Sequence, residues 1–351
     1  MDRRSVLDLA AELGHERVLL VQQPESGLRA VIAIHDTTLG RAIGGTRMRL
    51  YPVFEDAVED ALRLSHAMTS KATFAGMSCG GGKAVIVGDP LRDKNRELLL
   101  AYGRAVDELG GRFFTGCDMG IELADLAVVA EVTPHVGDMP SGSAVDASDL
   151  TAIGVVAAME TVASRLGKSL DACTVALQGV GEVGGRLARK LAGRGVRLFV
   201  TDAITDRAAE VARATGARQV GVEEILEIGC DIFSPNAAGG GITASVARHL
   251  PCSAVVGAAN NPLASEECGD DLFRRGVLYA PDFVVNAGGL LSVLFETGEL
   301  DAVEIVARVQ RIGADLAALL DRAEETSLPP FRVAAQIVAE RLKAARAAKR
   351  T

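Results

Sequence analysis

Tryptophan is absent from this 351-residue chain, and only three tyrosines and ten phenylalanines stand beside a large excess of alanine and valine. A core built from small apolar side chains suits helices packed closely on parallel strands, as in α/β enzymes. Long hydrophobic runs are missing too. No segment offers about 18 uncharged apolar residues, and residues 1–23 carry charges throughout rather than the continuous apolar run of a signal peptide. No membrane partner is expected, and a cytoplasmic location follows by default. Positive charge is in deficit: 37 Lys and Arg face 46 Asp and Glu, a formal charge of -9, so a nucleic-acid partner has no electrostatic footprint. The six cysteines, Cys79, Cys117, Cys173, Cys230, Cys252 and Cys268, lack CxxC spacing and a neighbouring histidine pair. That argues against both a disulfide framework and a structural zinc site, and Cys79 and Cys117 read as ordinary buried thiols. His15, His35, His66, His135 and His249 show no ligand spacing, so no metal is expected. Internal repeats and low-complexity tracts are absent as well.

What is present is length enough for two domains, since one core rarely keeps growing to this size. Short apolar runs predict strands at Val18–Val21 and Leu28–His35, a hairpin around Pro24-Glu25-Ser26-Gly27. After Pro52 the spacing becomes helical until Lys71. A short strand Lys83–Val87 follows, then a helix over about Asn95–Leu109 and the segment Phe113–Asp118, which leaves Asp118 at a strand exit. Small polar residues with Gly137, Pro140 and Gly142 gather in 136–149, the best candidate for a domain junction. Beyond it, a helix over about Leu150–Leu166 leads into alternating strands and helices: strands Thr174–Gln178 and Arg197–Thr201, then short ones at Asp231–Phe233, Ala254–Gly257 and Val277–Ala280. Such alternation predicts a parallel, doubly wound sheet. Long helices are expected around Ala302–Thr326 and Pro330–Lys349. The expected division is 1–145, joined by a C-terminal helix at about 327–351, and a second domain over 146–326.

Two features carry chemistry. The run Ser78-Cys79-Gly80-Gly81-Gly82-Lys83 sets a lysine behind three glycines and twelve residues after Lys71. The glycines are expected to form a turn of unusual dihedrals in which a partly dehydrated lysine, its pKa lowered, can act as a general base. The second is Gly179-Val180-Gly181-Glu182-Val183-Gly184, a G-x-G-x-x-G that follows an apolar strand and opens a helix. Its glycines allow in turn a tight turn, approach of a pyrophosphate to the backbone, and close helix–strand packing. Asp202 lies 23 residues past the first glycine, at the end of the next strand. A carboxylate there accepts hydrogen bonds from ribose hydroxyls and repels a 2'-phosphate, which makes NAD the expected cofactor.

These features and several further blocks resemble the glutamate/leucine/phenylalanine/valine dehydrogenase superfamily, in its leucine and phenylalanine dehydrogenase branch. The blocks are Leu39–Arg47 (LGRAIGGTR), Ala67–Lys83 (AMTSKATFAGMSCGGGK), Thr115–Gly120 (TGCDMG), the nucleotide fingerprint, Gly257–Pro262 (GAANNP) and Tyr279–Gly289 (YAPDFVVNAGG). The resemblance implies a two-domain α/β enzyme, an N-terminal substrate domain followed by a Rossmann-type dinucleotide domain. The implied reaction is reversible, NAD-dependent oxidative deamination of an apolar or aromatic L-amino acid in an interdomain cleft. A homo-oligomer is also implied. By the same resemblance Lys71, with the backbone of Gly44 and Gly45, binds the substrate α-carboxylate, Lys83 is the catalytic lysine, and Asp118 is the carboxylate that shuttles protons. Asn261 matches the residue that holds the amino group, with the adjacent Asn260 as the alternative. Thr151 and Asn286 match nicotinamide- or ribose-side contacts, and Ala237 and Ala259 match backbone contacts. One departure stands out: the prolines of the family are absent from Ala147-Ser148-Asp149-Leu150-Thr151.

The side-chain pocket is then expected from Ile43, Gly116, Leu290 and Val293, all uncharged. A glutamate γ-carboxylate buried among them would be unpaired at a cost of several kcal/mol, so glutamate is disfavoured. Gly116 and Leu290 together resemble the phenylalanine-type pattern, although Leu290 takes back some of the volume that Gly116 frees. Leucine and valine come next, and specialisation for another side chain such as tryptophan, or a non-catalytic amino-acid or nucleotide sensor, are the alternatives.

Overall fold

The computed structural model describes residues 5–137 and 145–349, and the chain divides into two compact units, Met1–Ser143 with Val338–Thr351, and Ala144–Ile337. Of the proposed junction residues, Pro140 and Gly142 lie outside the described residues.

The first unit opens with helix α1 (Val6–Leu13), the strands β1 (Arg17–Gln23), β2 (Leu28–Asp36) and β3 (Ala42–Arg49), and the long helix α2 (Phe54–Phe74). Strand β4 (Gly80–Val87), α3 (Arg96–Asp107), β5 (Phe113–Cys117) and α4 (Leu123–Val129) follow. The sheet order is β1-β2-β4-β3-β5, with β3 parallel to both β4 and β5 and the hairpin strands antiparallel. One sheet face is sealed by an apolar cluster of Leu28, Ile32, Ile34, Met48, Ile86 and Phe113 with residues of α3 and α4. On the other face, Val31, Ala33 and Val85 pack against Ala57, Val58, Ala61 and Leu62 of α2.

The glycine run does not form the expected turn. Gly80, Gly81 and Gly82 are the first residues of β4, and none of them has a positive φ. Their lack of side chains is required by packing. A Cβ at Gly80 would lie 1.8 Å from the Asp36 carbonyl oxygen, one at Gly81 2.1 Å from the Thr69 nitrogen of α2, and one at Gly82 2.6 Å from the Phe113 ring. The three glycines therefore let α2, β2 and β5 close directly onto β4. Within the same unit Arg341 donates to the carbonyls of Thr73 (3.0 Å) and Phe74 (2.6 Å) at the end of α2.

The second unit starts with α5 (Ala147–Arg165), whose N-cap Asp146 accepts from the Asp149 N–H. Then come β6 (Thr174–Gln178), α6 (Glu182–Ala192), β7 (Arg197–Thr201), α7 (Thr205–Thr215), β8 (Arg218–Gln219), β9 (Cys230–Pro235), α8 (Ala244–His249), β10 (Cys252–Val255), α9 (Glu266–Arg274) and β11 (Leu278–Tyr279). The last helices are α10 (Asp282–Val285), α11 (Gly288–Glu296), α12 (Ala302–Gln310), α13 (Ile312–Thr326) and α14 (Pro330–Ala348). All six strands are parallel in the order β11-β10-β9-β6-β7-β8, the doubly wound arrangement whose strand order reverses between β6 and β9. The single helix expected over 302–326 is broken at Arg311. Val309 of α12 and Ile312 of α13 both meet α5 at Gly154, where a Cβ would lie 2.7 Å from Ile312. Among the described residues no helix is long and apolar enough to cross a membrane.

Candidate active site

Strand periodicity gathers the candidate residues of the first unit. Successive side chains alternate between sheet faces, so Ile43, Gly45 and Arg47 of β3 share one face. Parallel pairing of Ile43 with Gly81 and of Gly45 with Gly116 brings Gly81 and Lys83 of β4, and Gly116 and the following Asp118, to that same face. This is the α2 side of the sheet, and Lys71 lies in the last turn of α2.

There Lys83 Nζ is 2.7 Å from Asp118 Oδ2, with only 8% of the lysine side chain exposed. The same oxygen accepts from Arg47 Nε at 2.9 Å. Arg47 Nη1 reaches Asp60 Oδ2 of α2 at 3.0 Å, and the Tyr51 hydroxyl donates to that oxygen at 2.5 Å. Burial pushes the Lys83 ammonium below the usual lysine range, an effect that Asp118 opposes and Arg47 reinforces. Burial would raise the Asp118 carboxyl, yet the charges of Lys83 and Arg47 outweigh it and hold the group below its usual range. The two directions are compatible because Arg47 remains beside Asp118 when Lys83 is neutral. Gly44 and Gly45 sit where neighbouring backbones crowd: a Cβ on Gly44 would lie 1.8 Å from the Gly82 oxygen, and one on Gly45 2.4 Å from the Cys117 oxygen. Gly116 is different, with nothing within 4 Å of its added Cβ. Cys79 is buried as expected, but Cys117 is exposed, because β5 ends there and its side chain alternates away from Gly116.

Arg47, Asp60 and Tyr51 had no role assigned from sequence. Arg47 follows Gly45 by two residues, which places it on the glycine's face. Asp60 precedes Lys71 by eleven residues, about three helical turns, which puts both on one side of α2. The histidines also gather unexpectedly: His15, His35 and His66 are edge to face, with ring centroids 4.9 and 4.7 Å apart. Among the described residues no group of His, Cys, Asp and Glu is arranged to hold a metal ion.

In the second unit the fingerprint lies where strand order reverses. Gly179 has φ +93°, and its Cβ would meet Ala237, just past β9, at 2.9 Å. A Cβ at Gly184 would strike the Gly179 oxygen at 2.1 Å, so this glycine seats α6 on the loop. At Gly181, the N-cap of α6, only Arg207 Nη1 comes within 4 Å, which leaves the helix N-terminus open. Tight turn, open cradle and close packing are the three requirements of a dinucleotide loop, and the residues fit that group. Glu182 and Val183 open α6, and Val180 donates its N–H to Asp202 Oδ2 at 2.9 Å. Asp202 Oδ1 accepts from the Ile204 N–H at 2.9 Å and lies 3.4 Å from Arg207 Nη1. The carboxylate expected at the end of β7 is therefore already braced, with a cation beside it.

A second observation fits a bound carboxamide. Asn286 is buried and its Nδ2 donates to the Ala258 oxygen (3.2 Å), the Ala259 oxygen (3.4 Å) and Asn260 Oδ1 (3.1 Å). Its Oδ1 is buried with no partner, an orphan acceptor that the protein leaves for a donor. Asn261 adopts φ 49° and donates its N–H to Asp282 Oδ2 at 2.8 Å, so asparagine is favoured there by backbone conformation as well. Thr151 bonds back to the Ala147 oxygen at 2.8 Å within α5. Leu290 and Val293, three apart on α11, share a helix face.

Family models match both units: residues 15–135 match "Glu/Leu/Phe/Val dehydrogenase, dimerisation domain" and residues 200–350 match "Glutamate/Leucine/Phenylalanine/Valine dehydrogenase". The chain belongs to the glutamate/leucine/phenylalanine/valine dehydrogenase family. This dehydrogenase is 39% identical to a leucine dehydrogenase of Bacillus subtilis, covering 94% of this chain and 92% of that one. It is 43% identical to a valine dehydrogenase of Streptomyces coelicolor, with coverages of 95% and 93%. Among solved structures, L-tryptophan dehydrogenase from Nostoc punctiforme superposes with a TM-score of 0.82 at 38% identity, covering 97% of this chain and 99% of that one. The protein is thus an amino-acid dehydrogenase, an oxidoreductase acting on a CH–NH2 group with a nicotinamide cofactor.

Proposed function

We propose that this dehydrogenase catalyses reversible, NAD-dependent oxidative deamination of an apolar or aromatic L-amino acid, with phenylalanine favoured and leucine or valine next. The observation that carries the reading is the pair of buried Lys83 within β4 and half-buried Asp118 just past β5, 2.7 Å apart. A lysine whose burial favours the neutral amine is suited to take a proton.

In this reading Lys71, with the backbone at Gly44 and Gly45, holds the α-carboxylate, and Asn261 or Asn260 holds the amino group. When bound, the nicotinamide accepts the hydride that leaves the substrate Cα. Lys83 then takes a proton from water as its oxygen bonds to the iminium carbon. Asp118 carries a proton to the nitrogen of the resulting carbinolamine, and as the C–N bond breaks and C=O forms the hydroxyl proton passes back to the Lys83–Asp118 pair, which releases ammonia and the 2-oxo acid. Gly179–Gly184 and the backbone at Ala237 and Ala259 take the pyrophosphate side of the cofactor. Thr151 and Asn286 take its nicotinamide side. NAD is preferred over NADP because of Asp202, although Arg207 offsets part of the charge that would repel a 2'-phosphate.

Ile43, Gly116, Leu290 and Val293 are the proposed side-chain pocket. No charge among them would pair with a glutamate side chain, and the open space at Gly116 supports a bulky one. The superposition on a tryptophan dehydrogenase favours a second reading, an indole side chain. Substrate and catalytic functions are assigned to 1–145 with the terminal helix, and cofactor binding to 146–326. A cytoplasmic homo-oligomer completes the proposal, supported by the dimerisation description of the matched family.

Incubating the purified protein with NAD and a panel of L-amino acids, while following NADH absorbance, tests the reading. NADH with none of them would overturn it, and the rate order would name the side chain. Lys83→Ala should abolish turnover while NAD still binds, and wild-type kcat in that variant would defeat the mechanism.

A further inference from the structure

We propose that Arg47 is a positioning residue of this reaction, fixing the orientation of Asp118 and keeping it an anion in the resting pair when Lys83 is neutral. The inference rests on the catalytic roles proposed above for Lys83 and Asp118.

The geometry is a chain of shared oxygens. Asp118 Oδ2 accepts from Lys83 Nζ at 2.7 Å and from Arg47 Nε at 2.9 Å. Arg47 is anchored on its far side by Asp60 Oδ2 at 3.0 Å, and Asp60 is anchored by the Tyr51 hydroxyl at 2.5 Å. Each member comes from a different part of the unit: Arg47 from β3, Tyr51 just past β3, Asp60 from α2, Lys83 from β4 and Asp118 just past β5. The Arg47 side chain is only 14% exposed, so its contacts are poorly screened.

When Lys83 becomes neutral, Asp118 would be a half-buried carboxylate without a cation if Arg47 were absent. Protonation would then relieve it, and the pair would compete with substrate for the proton being moved. Guanidinium cannot itself lose a proton, so Arg47 supplies a permanent positive charge there. Its like charge also discourages the Lys83 ammonium, whereas Asp118 and Asp60 favour it. A lysine at position 47 would keep the charge but could not bridge Asp118 and Asp60 with a rigid fork.

The test is the pH profile of kcat/KM for wild type, Arg47→Met, Arg47→Lys and Arg47→Gln, with the amino acid that wild type oxidises best. Arg47→Met should lose about tenfold to a hundredfold at neutral pH, with its acid limb moved up by about one pH unit, so that much of the loss is recovered on raising the pH. Arg47→Lys should keep the limb near its wild-type position while recovering part of the rate. Loss of activity with an unmoved limb in Arg47→Met would mean a purely structural role and overturn the proposal. If circular dichroism shows that Arg47→Met does not fold, Arg47→Gln, which removes the charge but keeps a hydrogen-bond donor, decides: a limb displaced upward supports the proposal, and one at the wild-type position overturns it. Failure of wild type to form NADH from any amino acid would instead strike the functional reading itself.

Discussion

A methyl group added at Gly81 would have nowhere to go. Its Cβ would lie 2.1 Å from the Thr69 nitrogen, 2.4 Å from the Thr69 hydroxyl and 2.5 Å from the Ser65 oxygen. Two of these atoms are helix backbone, so α2 cannot yield by rotating a side chain. It must move by more than about 1 Å to restore ordinary contact, which for overpacking of this kind costs about 1–3 kcal/mol. At about 2–4 °C per kcal/mol for a domain of this size, Gly81→Ala should lower Tm by roughly 2–12 °C. Activity should fall as well, because α2 carries Lys71 and Asp60, and a displacement of 1 Å is enough to impair a reaction that depends on alignment. Differential scanning calorimetry and NADH formation, measured on the same preparation, read the two effects. A Gly81→Ala protein with wild-type Tm and wild-type kcat would refute the claim that this glycine exists to seat α2 on β4.

Gly116→Ala should behave in the opposite way. With nothing within 4 Å of the added Cβ, Tm should stay within about 1 °C of wild type, while kcat/KM shifts by about tenfold from aromatic toward branched side chains; an unchanged preference would remove Gly116 from the pocket. Acid stability should depend on the histidine cluster. Burial, then the charges of His35 and His66, lower His15 to about 4, so the unfolded chain binds the proton first. Stability should therefore decline as pH falls from about 6.5 to 4, and His15→Gln should flatten that part of the Tm profile. An unaltered slope would show that the cluster does not contribute. Asp202→Asn should weaken NAD binding and, with Arg207 retained, narrow the preference against NADP, measured by fluorescence titration of both reduced cofactors; an unchanged affinity ratio would take Asp202 out of cofactor selection.

Local patterns in the chain were sufficient for most of the elements, for the parallel doubly wound sheet and for the strand–loop–helix at glycines 179–184, though not for β3 or the break at Arg311. The reason is that period and turn chemistry act over a few residues, and the fingerprint glycines 179, 181 and 184 each meet a requirement of their own turn. The family blocks likewise singled out Lys83 and Asp118. Long-range packing alone decided the rest. Glycines 80–82 looked like a turn because flexibility is what a glycine run suggests in isolation; their actual constraint comes from Asp36, Thr69 and Phe113, residues distant in sequence. Arg47 looked like one basic residue among many until β3, β4, β5 and α2 brought it between Asp118 and Asp60. Charges at those sequence separations interact only once the sheet is formed. The lysine was therefore legible from the chain, whereas the network that tunes it exists only in the fold.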